Sequence, residues 1–255
     1  MRLTGRVALV TGAGRGLGQS VARSLAAAGA QVVAVALEAD ELARTAELIQ
    51  GAGGQVATRV VNLAHEDEVR ALAAWTLERF GRLDVLVNNA ARLPLKWFRE
   101  MTMADFDLTM TVNLRAAVLL CHLFLPAMIA QGRGSIINVS SRSGVMGFLQ
   151  ETDFTPTKFG IEGFTKALAL ELQEQGHNVA INTITPGSQT VKVRIKPTGM
   201  TQGEFDALPP AEQARWHDSM LLGPAFVYLA LQDGRGLTGA RVHAWDLAEQ
   251  VRRGD

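Results

Sequence analysis

The segment Thr11-Gly12-Ala13-Gly14-Arg15-Gly16-Leu17-Gly18 has residue types and spacing suited to chemistry. It joins an apolar run, Val7–Val10, to a stretch of helical period. Glycines at such a junction let the backbone turn sharply and approach a ligand, and the free amides at the helix start favour an anion. After the first strand of an α/β chain, that arrangement suits the pyrophosphate of a dinucleotide. Other residues could collect a carboxylate or phosphate substrate. Arg92, Lys96 and Trp97 form one group, and Lys192, Arg194 and Lys196 form another. Alternation with Val191, Val193 and Ile195 puts the second group on one face of an extended segment. Solvated surface charge is the simpler reading of both. Cys121 has no adjacent base and reads as a small buried apolar group.

The elements that must hold these residues follow from periodicity. Val7–Val10, Val32–Val35, Val56–Val61, Val85–Val87, Ser135–Val139 and Val179–Ile184 are apolar or nearly so and of strand length. Runs apolar on both faces suit a parallel sheet covered on each side. Between them lie helical stretches at Gly16–Ala28, Asp40–Gly51, Glu66–Phe80, Asp105–Ala130 and Thr157–Glu174. The alternation predicts an α/β fold, a doubly wound parallel sheet with helices on both faces, in a single domain over 1–255. Gly29, Gly51, Gly81, Gly132 and Gly176 are expected as left-handed helix ends. The stretch 186–220 reads as a loop-plus-helix excursion of the kind that covers active sites. One helix around Pro224–Leu231 and a last strand near Ala240–Trp245 complete the pattern.

Composition narrows the function classes. The chain has 255 residues, 25 basic against 25 acidic, and is 47% hydrophobic, enough to bury a large core. A neutral balance leaves no electrostatic footprint for nucleic acid. One cysteine excludes an internal disulfide or a cysteine metal cage. The first residues are too short an apolar stretch for a leader. Ala116–Ala130, interrupted by His122 and Pro126, is too short for a bilayer. The expectation is a cytoplasmic protein that binds neither nucleic acid nor membrane.

Several landmarks in register resemble the short-chain dehydrogenase/reductase family. The glycine loop is similar to the family's TGxxxGxG, and Asn88-Asn89-Ala90-Ala91 to its NNAG, with alanine for the glycine. Asn113, Ser140-Ser141, Lys158 and Pro186-Gly187 fall where the family places its asparagine, serine, lysine and post-strand Pro-Gly. The resemblance covers about 4–190. It implies a Rossmann-type sheet, a nicotinamide dinucleotide, a small-molecule substrate and a homo-oligomer, tetramer or dimer. The implied cofactor contacts are Gly12, Arg15, Gly16, Leu17, Gly18, Leu37, Asn62, Leu63, Asn89, Ala90, Lys158, Pro186 and Gly187. Ala36 at the end of the second strand and Arg15 in the loop place NADP ahead of NAD, while Glu38 could still take a ribose diol.

The family has a tyrosine thirteen residues after its serine and four before its lysine. Counting from Ser141 to Lys158 gives position 154, which is phenylalanine. Hydride reduction of a carbonyl leaves an alkoxide that needs a proton, and Phe154 has none to give. Loss of a positioned acid costs on the order of 10²–10⁴ in rate. The resemblance still implies a carbonyl contact for Ser141, a ribose contact for Lys158 and a water chain for Asn113. Three readings are open: an exchanged tyrosine in an ordinary reductase, a natural tyrosine-less member with another acid or a non-redox reaction, and a cofactor binder without catalysis. Asp153, Glu151 and Thr155 lie beside the position, with Asp153 expected as a helix N-cap. His217 and His243 lie in a divergent tail.

Overall fold

Strands apolar on both faces are stable only between two layers, and the Val- and Ile-rich runs occupy that place here. In the computed structural model, residues 1–189, 194–195, 207–213 and 216–254 are described. β1 (Val7–Thr11), β2 (Gln31–Ala36), β3 (Gln55–Val60), β4 (Val85–Asn88), β5 (Gly134–Val139), β6 (Val179–Thr185) and β7 (Arg241–His243) form one sheet. Its order is β3-β2-β1-β4-β5-β6-β7, and every pairing is parallel. Around it lie α1 (Gly16–Ala27), α2 (Ala39–Gly51), α3 (Glu66–Phe80), α4 (Met103–Met110), α5 (Ala116–Ala130), α6 (Phe154–Glu174), α7 (Gly223–Ala230) and α8 (Ala244–Arg253). The expected doubly wound α/β fold is what forms.

Alternation along each strand divides the core in two. Val10, Val32, Val87 and Ile184 pack with Leu25 of α1 and Phe226 of α7. Leu9, Val33, Leu86 and Ile136 face Leu72 of α3, Phe124 and Met128 of α5, and Leu172 of α6. The chain reverses winding between β1 and β4, so their carboxyl ends open a crevice. Gly12 and Gly16, at φ 64 and φ 53, turn the loop into it.

The structure departs from the sequence reading in several places. β3 is an edge strand with mostly exposed residues, so its apolar run is not covered on both faces. Gly51 lies inside α2, and Gly53, at φ 78, makes the left-handed turn. α6 starts at Phe154 rather than Thr157, because Pro156 fits within a first helical turn whose amides lack partners. Asp153 precedes that helix, but its backbone is already helical and its carboxylate does not cap. It is buried and accepts from Thr109 Oγ1 at 2.7 Å. The last strand runs directly into α8, whose apolar face carries Ala244 and Ala248. Helix α4 continues through a π-type turn, Thr111–Arg115, into α5. The joined helix Met103–Ala130 is long and apolar enough to match a bilayer by length and composition. Its Phe124 and Met128 are nevertheless fully buried against the sheet, as a core helix requires.

One close approach holds the glycine loop against the sheet. A Cβ at Gly18 would lie inside van der Waals contact with the Gly12 carbonyl oxygen and the Asn89 amide. Gly18→Ala is expected to destabilise by about 1–3 kcal/mol, as overpacking does. It should also abolish dinucleotide binding. Chemical denaturation and equilibrium titration check the two effects separately.

Candidate functional site

The crevice is a cleft of about 490 Å³ lined by Gly12, Gly14 and Arg15 of the loop, Ala36, Leu37 and Glu38 after β2, Asn62 and Leu63 after β3, and Asn89 and Ala90 after β4. Asn89 Nδ2 donates to Thr11 O at 2.9 Å and to Gly12 O at 3.3 Å, while Thr11 Oγ1 accepts the Asn89 and Ala90 amides. The loop is thereby held open by β4 with no side chain in the way. A Cβ at Gly12 would fall 2.9 Å from Ala90 Cα, and one at Gly14 would meet Glu41. This cradle fits a dinucleotide's phosphates. Of the expected contacts, Gly16, Leu17 and Gly18 lie behind the cleft, and the Leu17 side chain is in the core. Pro186 and Gly187 follow β6 away from this lining, where Gly187 O accepts the Trp245 amide at 3.0 Å. Glu41 escaped the sequence reading. It lies on α2 with its carboxylate 3.5 Å from Arg15 Nε.

Beyond the cleft, α6 carries the second half of the site. Phe154 is buried, and Lys158, one turn on, has its Nζ 5.3 Å from the Phe154 ring centroid. Nζ donates to Val139 O at 2.8 Å, two residues before Ser141. The ammonium thus lies on the carboxyl end of β5 with an aromatic ring beside it. Burial pulls Lys158 down to about 8, with Glu162 opposing. Asn113 sits in the π-type turn, where the widened backbone turns its amide toward the loop after β4. It accepts from Arg92 N at 2.8 Å and donates to Arg92 O at 2.9 Å. Asn113 and Lys158 also line a cavity of about 10 Å³, enough for one water-sized probe.

Two further residues organise the site. Arg241 of β7 pairs with Glu162 of α6, donates to Ser140 Oγ at 3.3 Å and to Ser141 O at 2.9 Å. Thr183 Oγ1 donates to Glu162 at 2.8 Å. The signal in the sequence was Glu162 four residues after Lys158, a carboxylate on the buried face of an amphipathic helix. Arg241 stood in the divergent tail, and only the sheet order brings it beside β6.

The basic residues after β4 are already engaged. Lys96 Nζ lies 2.8 Å from Asp105 and Arg92 3.9 Å from it. Hydrogen bonds from Lys96 and Thr102 hold the Asp105 carboxyl down at about 2. Lys192 and Lys196 lie outside the described residues, as does about half of the 186–220 excursion. His217 stacks on Trp245 at 4.8 Å. His243, at the end of β7, is held below its ordinary value by burial and by Arg241. Burial pushes Cys121 up to about 12, which suits a packed apolar role.

Lys158 gives a pH signature independent of any ligand. Its folded-state value of about 8 lies below the ordinary 10.5, so folding disfavours its proton. The penalty is full below pH 8, about 3 kcal/mol, and is relieved as pH rises from 8 towards 10.5. Lys158→Met is expected to be more stable than the parent at pH 7, with the gap narrowing by pH 9.5. Urea unfolding of both proteins at the two pH values measures it.

The comparisons with known proteins agree with this geometry. The family model described as short chain dehydrogenase matches residues 6–199. The chain is 35% identical over 187 residues to 3-oxoacyl-[acyl-carrier-protein] reductase FabG of Thermotoga maritima, covering 73% of this chain and 75% of that one. It is 32% identical over 240 residues to D-threitol dehydrogenase of Mycolicibacterium smegmatis, covering 94% and 91%. A crystal structure of a metagenomic short-chain oxidoreductase in complex with NADP superposes with a TM-score of 0.79 at 32% identity, over 94% of this chain and 97% of that one. With a Rossmann-like sheet, a glycine cradle at its crevice and a lysine of α6 on the end of β5, the chain belongs to the short-chain dehydrogenase/reductase family, whose oxidoreductases bind a nicotinamide cofactor.

Proposed function

We propose that the chain is an oxidoreductase that interconverts a carbonyl and a secondary alcohol, with Phe154 in the place of the proton-donor tyrosine. The observation that carries this reading is the placement of Lys158 between the Phe154 ring and the β5 carbonyl beside Ser141. That is the arrangement of a family site lacking one phenol oxygen. When bound, the nicotinamide supplies the hydride acceptor or donor. Gly12 and Arg15 would hold its phosphate side, with Leu37, Asn62 and Leu63 at the adenosine and Asn89, Ala90 and Lys158 at the nicotinamide half. Ser141 would hold the substrate oxygen and Asn113 the loop that faces it.

NADP is the proposed cofactor. Ala36 and Leu37 put no charge at the end of β2, and Arg15 is the cation a 2′-phosphate would meet, displacing Glu41. Arg92 and Lys96 are neutralised by Asp105, while Leu93, Leu95, Trp97, Val145, Met146 and Leu149 are exposed on the loops leaving β4 and β5. These support a substrate with an apolar body rather than an anionic one. Exposed Phe159 and Leu170 on α6, beside the apolar α5, support a homo-oligomer.

Two measurements test the reading. Titration with all four nicotinamide forms should show preference for the NADP pair, lost in Arg15→Ala. Preference for NAD, unaffected by that change, rejects the 2′-phosphate contact. Phe154→Tyr, assayed on ketones and secondary alcohols, should raise turnover by about 10² or more. A parent and variant that both bind cofactor and turn over nothing would support a non-catalytic role instead.

A further inference from the structure

With phenylalanine at 154, a proton exchanged with the substrate oxygen needs another route. A continuous line of oxygens leaves Ser141. Ser141 Oγ donates to Ser143 Oγ at 3.2 Å, and Ser143 Oγ donates to Glu151 Oε2 at 2.6 Å. The Ser143 amide donates back to Ser141 Oγ at 3.1 Å, which orients that hydroxyl toward Ser143. Ser143 is 2% exposed, so solvent does not compete for its hydroxyl. The bond to the carboxylate is short, as a charge-assisted O–H···O⁻ bond is.

The backbone is strained where it delivers Glu151. Gln150 is a non-glycine residue at φ 64, a left-handed conformation that costs about 1 kcal/mol or more. Such strain persists where the surroundings over-determine it, and it concentrates at functional sites. Here the Thr155 amide donates to Glu151 O at 2.8 Å and ties the carboxylate's own backbone to the first turn of α6. The result is a carboxylate on a fixed turn, connected by one buried hydroxyl to the serine of the site.

We propose that Glu151, acting through Ser143 and Ser141, is the proton acceptor that replaces the absent phenol. This rests on the oxidoreductase reading above. In alcohol oxidation the substrate O–H bond breaks and its proton passes to Ser141 Oγ. The Ser141 proton passes to Ser143 Oγ, and the Ser143 proton to Glu151 Oε2, leaving a neutral carboxylic acid. A bound oxidised nicotinamide dinucleotide would accept the hydride from the carbinol carbon, so that one proton and one hydride leave as the carbonyl forms. Reduction returns the proton along the same line. Glu151 touches neither substrate nor cofactor and is a positioning and relay residue.

The test has a ligand-free arm and a kinetic arm. By NMR of the full chain alone, the Ser143 hydroxyl proton should be a slowly exchanging resonance that disappears in Glu151→Gln, and its absence from the parent overturns the proposal. On alcohols that the parent oxidises, Glu151→Gln and Ser143→Ala should each lower kcat by about 10² with KM little changed. Adding Phe154→Tyr to Glu151→Gln should restore turnover. Unchanged turnover in Glu151→Gln overturns the relay and leaves the oxidoreductase reading standing. A loss that Phe154→Tyr does not restore marks Glu151 as a structural support and also overturns the relay. A parent inactive on every alcohol and ketone, with an active Phe154→Tyr variant, overturns the relay alone; a parent and a Phe154→Tyr variant that both bind cofactor and turn over nothing overturn both readings.

Discussion

The buried ion pair between Arg241 and Glu162 is the interaction on which the rest of the site depends. Taking two charges out of water is unfavourable unless every remaining donor and acceptor finds a partner. Here the carboxylate also takes Thr183, and the guanidinium also takes Ser140 and the Ser141 carbonyl. One pair therefore joins the last strand, the sixth strand, the long helix α6 and the end of β5. Losing either partner would leave an uncompensated buried charge, and breaking such a pair typically costs about 3–5 kcal/mol. The orientation of Ser141 follows from this network because its carbonyl is one of the acceptors.

Charge elsewhere in the site is arranged by the same rule. Lys158 is buried with a backbone carbonyl as acceptor and Glu162 nearby, which keeps its ammonium tolerable but easier to deprotonate. Asp105 gathers Lys96 and Arg92, leaving the loops that leave β4 and β5 apolar at their exposed positions. Arg15 is held by Glu41 at the open end of the cleft, where side chains remain accessible. Cations near solvent can exchange partners; those behind Ser141 cannot do so without exposing a second charge.

The cleft at the glycine loop was legible in the chain because its geometry is local. Gly12 to Gly18 is a contiguous turn, and Asn89 follows directly on a strand whose partner is β1. Position 154 was equally legible, since Phe154 and Lys158 are one helical turn apart and share a face. The residues that complete the site were not. Glu41 and Arg241 act on groups that lie far off in sequence; Glu151 was in view beside position 154, but its bond to Ser143 runs across a turn whose direction Gln150 sets. Their contacts depend on strand order, on which face a helix turns inward and on one left-handed residue.

By itself, then, the sequence determined the α/β alternation, the glycine turn, the buried central strands and the absence of a phenol four residues before Lys158. These are properties of neighbouring residues, expressed through backbone freedom and hydrophobic period. The tertiary structure alone decided which charges meet. Burial removes the competing water, so partner choice is set by distances between elements, and those distances exist only once β7 is placed beside β6 and α6 is packed against β6.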